Sequence, residues 1–181
     1  MRLVLGSDLL AVGWRLAARL GLRLHAHHAF KVAHHGSKGA FAEEVVGVEG
    51  GRGRCWLITP WNRGRSLPRF EEREGIAALL ASVDEVFLTA LPFEGAGPVP
   101  PLTRRTRREL ARERGTGRGT SLPGGLTLTP IPAPSRCTEG WISIRFVADG
   151  RIGEIRGADG TLVVVEEGEP RARPLGRGRM G

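Results

Sequence analysis

The sequence predicts an α/β fold built on a largely parallel sheet, and three observations carry that reading. Within residues 1–92, apolar runs and amphipathic stretches follow one another as strand, helix, strand, helix, strand, helix, strand, the alternation that lays helices over parallel strands. From Trp141 onward the pattern shifts to alternating apolar residues with Asp-Gly punctuation, the mark of antiparallel pairing. The chain has 181 residues, 40% hydrophobic and 25% charged, enough for one domain that buries roughly 70% of its unfolded surface.

Each element has a local cause. Residues 2–6 (RLVLG) form a short apolar run ending in a Gly-Ser-Asp turn, which reads as a buried strand. Leu9, Leu10, Gly13, Trp14, Ala17 and Leu20 then recur at three- and four-residue spacing, an amphipathic helix closed by Gly21. Residues 29–33 (AFKVA) make the second strand and run directly into His34, His35, Gly36 and Ser37. A short helix is expected over residues 41–46, then a glycine-rich turn at 50–53. The third strand, 55–59, is stopped by Pro60 and followed by the loop 60–64 (PWNRG). Residues 70–82 read as a helix with Ile76, Leu79 and Leu80 on its apolar face, and 85–89 as a fourth strand ended by Leu91 and Pro92.

Beyond Pro92 the composition changes. Residues 95–135 hold most of the prolines, the basic run 103–118 (TRRTRRELARERGTGR) and a segment rich in Gly, Thr and Ser. Leu102 and Leu110 are too few to give this stretch a core face, which leaves a charged surface helix or a mobile insert. Trp141, Ile142, Ile144 and Phe146, then Ile152 and Ile155, then residues 162–165 predict a three-stranded antiparallel meander. The tail from Glu167 is charged and rich in Gly, Pro and Arg, a composition that reads as disordered.

Net charge is +8, carried by 25 arginines against two lysines, with no tyrosine. Such a balance marks either a nucleic-acid binder or a GC-rich coding sequence, which enriches Arg, Gly, Ala and Pro whatever the function. Cys55 and Cys137 are far apart and lack C-x-x-C spacing, so no disulfide framework is indicated; Cys55, in CWLIT, reads as a small core residue. No stretch approaches the roughly 20 apolar residues needed to span a bilayer. The amino-terminal run holds Asp8, is followed by Arg15 and Arg19, and has no clean small-residue cleavage site, so the expected location is the cytoplasm rather than a secretory route.

All five histidines lie within eleven residues, at His25, His27, His28, His34 and His35. Imidazole is the commonest protein ligand for zinc and the usual proton shuttle near neutral pH. Asp8 and His34 follow the first and second strands, and Trp61, Asn62 and Arg63 follow the third. That is the edge where a parallel sheet opens its crevice. Other roles compete: Asp8 is suited to cap the helix that follows it, and His25, His27 and His28 read as surface or loop residues ahead of a strand.

The segment from Leu3 to Pro92 resembles the carboxy-terminal half of the metallo-β-lactamase fold, an αββα sandwich. It is most similar to the branch that includes hydrolase domains of DNA-uptake competence proteins (ComEC-like). There a strand ends in a metal-bridging aspartate, a helix follows, and a second strand leads into His-His-Gly-Ser. This chain has Val4-Leu5-Gly6-Ser7-Asp8, then Phe30-Lys31-Val32-Ala33-His34-His35-Gly36-Ser37. The resemblance implies that Asp8 bridges two zinc ions, that His34 binds one of them, and that His35 stands behind it, or the two histidines exchanged. Lys38 would then lie near the substrate, with Asn62 and Arg63 orienting an anionic group.

The resemblance also shows what the chain lacks. The family builds its first metal site from an upstream His-x-His-x-Asp-His motif, and none occurs here; His25-Ala26-His27-His28 lacks the aspartate and follows Asp8 instead of preceding it. The chain is therefore expected to be a truncated member: a half-domain at 1–92, a Pro/Arg-rich insert at 93–136, a β meander completing the domain at 137–166, and a tail at 167–181. A half sandwich would expose a sheet face and an edge, and would call for the missing amino-terminal half or a homodimer partner. The function expected is metal-dependent hydrolysis with a water-derived hydroxide as nucleophile. A phosphodiester or nucleic-acid substrate fits Arg63 and the arginines of 104–118. The competing expectation is a non-catalytic module that binds nucleic acid or a partner protein through that arginine-rich segment. A small nucleotide-binding fold is disfavoured, since no G-x-G-x-x-G follows the first strand.

Overall fold

Two short apolar runs with almost no solvent-facing residue occupy the middle of the sheet and order the rest around them. The computed structural model describes residues 2–24, 26–37, 39–40, 42–47, 54–61, 67–68, 75–90, 104–113, 116, 118–122, 125–131, 142–146, 152–157 and 162–166. In chain order its elements are β1 (Leu3–Leu5), α1 (Ala11–Arg19), β2 (Ala29–Lys31), α2 (Glu43–Val46), β3 (Cys55–Ile58), α3 (Gly75–Leu80), β4 (Val86–Leu88), α4 (Arg104–Arg112), β5 (Thr120–Leu122), β6 (Leu126–Pro130), β7 (Ile142–Phe146), β8 (Ile152–Gly157) and β9 (Leu162–Glu166). A tight turn over Ala33–Gly36 follows β2.

The predicted α/β class holds. Strands β1 to β4 are parallel, with Val4 beside Phe30, Phe30 beside Trp56, and Trp56 beside Val86. The sheet then continues with antiparallel neighbours in the order β1-β2-β3-β4-β9-β6-β5, while β7 and β8 form a separate two-stranded sheet. Among the described residues, no helix is long and apolar enough to cross a membrane.

Side-chain alternation along the strands divides the core in two. On one face Phe30, Trp56, Ile58, Val86 and Leu88 pack beneath Trp14, Val45, Ile76, Leu79 and Leu110, contributed by the four helices. On the other face Ala29, Cys55 and Phe87 meet Ile155, Ile142, Ile144 and Phe146 of the β7–β8 hairpin. Phe30 is fully buried and makes edge contacts with Trp14 at 5.4 Å and Trp56 at 5.0 Å between ring centroids.

Two expectations are corrected. The three-stranded meander does not form: β7 pairs with β8, but β9 leaves them and inserts between β4 and β6. Its Leu-Val-Val-Val run lacks the alternation of a half-exposed strand and suits a position between two neighbours. The stretch read as a charged surface helix or mobile insert is in part such a helix: α4 exposes Arg105, Arg108 and Arg112 but anchors through buried Leu110, and the β5–β6 hairpin adds Leu122, Leu126 and Leu128 to the core. The bare sheet face expected of a half sandwich is covered by β7 and β8 over β2, β3 and β4, whereas Leu3 and Leu5 on β1 stay exposed. Cys55 is buried as expected. The expectations for Cys137 and for 167–181 lie outside the described residues.

The hairpin carries a local charge device. Glu154 sits opposite Arg145 and accepts from Arg156 Nε at 2.7 Å. The Arg156 hydrogen bond, with both arginine charges, holds its carboxyl below the usual range. A carboxyl lowered by folding stabilises the hairpin above the ordinary carboxylate range, and that contribution is lost as pH falls through the lowered value.

Because Phe30 touches both aromatic neighbours and has no exposed surface, Phe30→Ala is expected to destabilise the fold by about 3–5 kcal/mol. Urea unfolding followed by tryptophan fluorescence reads this directly. A loss near zero would mean that β2 is not the centre of the core.

Candidate functional site

The site is assembled where β1 and β2 end side by side. At Gly6 the chain leaves β1 so close to the neighbouring strand that an added Cβ would lie 2.6 Å from Ala33 N and 2.7 Å from Lys31 O. Only glycine permits this approach. Gly6 N–H donates to Lys31 O at 2.9 Å, and His34 N–H donates to Ser7 O at 2.7 Å. The Ser7-Asp8 turn and the His34-His35 turn are thereby tied together, backbone to backbone.

The histidine turn is conformationally unusual. His34 (φ 44, ψ 40) and His35 (φ 55, ψ 28) are both left-handed, and Gly36 follows at φ 72. Ser7, across the 2.7 Å bond, is left-handed too, at φ 44. These three are the only non-glycine residues with positive φ among those described. A left-handed L-residue costs roughly 1–2 kcal/mol. Such backbone persists only where surrounding structure over-determines it, a condition concentrated at functional sites. Here the turn is held by His34 Nδ1 with Ser37 Oγ at 2.8 Å, by Ser37 N–H to His34 O at 3.1 Å, and by His35 Nδ1 with Thr59 O at 2.8 Å. Gly36 is pressed against β3 and the following loop, where a Cβ would lie 2.9 Å from Ile58 Cδ1 and 3.1 Å from Pro68 Cβ.

The two imidazoles are not equivalent. A carbonyl oxygen can only accept, so in the His35–Thr59 bond Nδ1 carries the proton and, in the neutral ring, Nε2 keeps its lone pair. This is how a backbone carbonyl orients a metal-ligating histidine. His35 is half-buried and lies 5.2 Å from the Trp61 ring, tilted by 35°. His34 is exposed, and its Ser37 hydroxyl partner can donate or accept, which leaves its tautomer unfixed. The Nδ1 partner thus fixes the tautomer of the neutral His35 ring and not that of His34.

Asp8 is exposed and does not cap α1: the capping position is Leu10, with no side-chain hydrogen bond. The intervening chain forms its own turn, Leu9 N–H to Gly6 O at 3.0 Å. The carboxylate is therefore not used for helix capping. Trp61 and Leu67 exchange backbone hydrogen bonds of 2.9 Å in both directions, closing the loop after β3 near His35. Lys38, Asn62 and Arg63, with His25, lie outside the described residues.

The remaining histidines separate from the site. His27 is not a surface residue as expected; it is buried against Phe30 and Trp56, and its Nδ1 bonds Leu24 O at 2.7 Å. His28 Nδ1 accepts from the Arg2 amide at 2.9 Å. Sequence reasoning missed Ser7, Ser37 and Thr59 as supports of the site. A left-handed serine and a carbonyl aimed at an imidazole leave no mark in residue identity. Among the described residues, no cluster of three or more His, Cys, Asp or Glu side chains is placed to hold a metal ion. Comparison of the chain with family models, curated proteins and solved structures returned no match.

If the left-handed turn is strained for a purpose, relieving it should separate stability from function. His34→Gly is expected to keep the fold with stability unchanged or raised by up to about 1 kcal/mol, since glycine adopts positive φ without penalty. A melting-temperature comparison with His28→Gly, where no left-handed backbone is involved, isolates the effect. A clear destabilisation by His34→Gly alone would show that the turn is held by the imidazole rather than strained against it.

Proposed function

We propose that this chain is a metal-dependent hydrolase of the metallo-β-lactamase superfamily whose donor set is completed from another polypeptide. The observation that supports it most is the backbone tie between the Asp8 turn and the strained His34-His35 turn at the carboxyl ends of β1 and β2. The residues fit a divalent cation such as zinc in kind, but among the described residues no three of them are placed together to hold one. Asp8 offers a carboxylate, His35 an oriented Nε2, and His34 a second imidazole in the same turn. Catalytic zinc ordinarily takes three protein ligands and keeps one position open. When bound, such an ion supplies a water acidified to near-neutral pKa.

The chain's own residues do the rest. Thr59 O fixes the His35 ring, Ser37 restrains His34, and Trp61 packs beside His35. A phosphodiester or other anionic substrate is the class that the sequence favours, with Lys38 near it and Asn62 and Arg63 as its anion-orienting groups. Zinc titration followed by inductively coupled plasma mass spectrometry tests the reading without any activity assay. His35→Ala is expected to weaken zinc retention at least tenfold, His34→Ala less, and lowering the pH should release the metal because ligands must be deprotonated. Equal retention by the wild type and His35→Ala would overturn the assignment.

A second reading rests on α4. Leu110 holds this helix to the core while Arg105, Arg108 and Arg112 face solvent, with Arg105 paired to Glu109 at 2.8 Å and its guanidinium pKa raised by that hydrogen bond. Such a face suits a non-catalytic nucleic-acid-binding module. In that case binding of a double-stranded DNA fragment should ignore chelators. Arg108→Ala and Arg112→Ala should each lower the slope of log K against log salt by about 1. Unchanged slopes would remove α4 from the interface.

A further inference from the structure

We propose that β1 is a dimerisation edge at which a second copy of this chain pairs antiparallel with it, joining the two sheets about a twofold axis at Val4. The inference rests on β1 and α1 alone and stands whether or not the site binds metal.

Among the described residues, β1 is the terminal strand of the sheet and pairs only with β2. Arg2 O accepts from Ala29 N–H and Gly6 N–H donates to Lys31 O, so the even-numbered residues turn their backbone groups toward β2. Backbone direction alternates along a strand, which aims the N–H and C=O of both Leu3 and Leu5 outward. Natural sheets usually blunt such an edge by keeping it short, as β1 is at three residues, or with charge, proline or a bulge; of the latter three β1 has none. Here the outward residues are leucines, 52% and 66% exposed.

The pattern is self-complementary. An antiparallel second copy in a register centred on Val4 places Leu3 opposite the other copy's Leu5 and Leu5 opposite its Leu3. Those are the positions that exchange both N–H···O bonds, with Val4 facing Val4 in the close, non-bonded pair between them. Opposed residues of a ladder share a face, so the four leucines cover one another. The cationic end of β1 at Arg2 then lies beside the other copy's Gly6-Ser7-Asp8 turn, and the reverse, which is charge-complementary. α1 adds apolar surface to the same side of the domain. Trp14 faces inward, while Val12, Leu16 and Leu20, at helical spacing on the opposite side, are 76%, 57% and 74% exposed. A three-residue ladder alone would fall short of the roughly 1,200 Å² of a stable interface, so the proposed pairing requires part of this second stripe to be buried with it. A second copy also brings a further +8 of charge, so pairing should tighten as salt screens the repulsion, opposite to binding of nucleic acid.

Sedimentation velocity from about 1 to 100 µM at low and physiological salt reads the mass directly. The expected result is a species of twice 19.5 kDa, favoured by salt. Leu5→Pro, which removes an outward N–H that β2 does not use, should weaken association at least tenfold. So should the doubly charged edge Leu3→Lys with Leu5→Lys, which keeps the proposal testable if the proline disturbs folding. In a Cys137→Ser background, Val4→Cys should form an interchain disulfide on mild oxidation, because the close pair suits its geometry, and Leu3→Cys should not. A chain that stays monomeric at both salts, a dimer indifferent to both edge variants, or cross-linking through position 3 rather than 4 would each overturn the proposal.

Discussion

Burial of β2 on both faces is the constraint from which the rest follows. Phe30 lies under the helices among Trp14, His27 and Trp56, and Ala29 points to the opposite face beneath the β7–β8 hairpin. A slip of one residue would exchange the two faces, so β2 has one register against β1 and β3. With the register fixed, Gly6 and Ala33 are forced into contact, and the two turns beyond them must share hydrogen bonds. The site geometry is thus a consequence of core packing several residues away.

What that packing holds in place is a run of backbone that would not persist by itself. Three left-handed non-glycine residues lie in two tied turns, and each is restrained by a neighbour: Ser7 by His34 and His35 by Thr59 from distant parts of the chain, and His34 by Ser37 of the same turn. An imidazole whose Nδ1 is committed to a carbonyl offers its other nitrogen in a fixed direction. Asp8, whose carboxylate does not cap α1, lies in the turn that is tied to the histidine turn through the backbone.

Four strands and the α/β class were legible because apolar runs of buried parallel strands need no knowledge of their neighbours. The pairing of the later strands was not. Residues 162–166 are continuous in apolar side chains while 142–146 alternate, a difference that distinguishes a strand between two neighbours from one with a wet face. The β5–β6 hairpin was hidden by composition: Leu126-Thr-Leu-Thr alternates correctly, but lies among prolines and glycines that suggest a loop. Of the residues whose spacing predicted α1, Trp14 and Ala17 pack against the core while Leu9, Leu10 and Leu20 are exposed, because periodicity reports that a helix has an apolar side, not whether anything covers it.

By itself the sequence determined the parallel strand–helix core, the burial of Cys55, and the placement of Asp8 and His34 after adjacent strands, since each depends on local patterning and on the direction of the chain. Tertiary structure alone decided that His27 belongs to the core, that Asp8 is not a helix cap, that His35 rather than His34 is the oriented imidazole, and that β9 completes the main sheet. Those outcomes turn on where a carbonyl, a ring or a neighbouring strand arrives from a distant part of the chain, and residue spacing carries no information about that arrival.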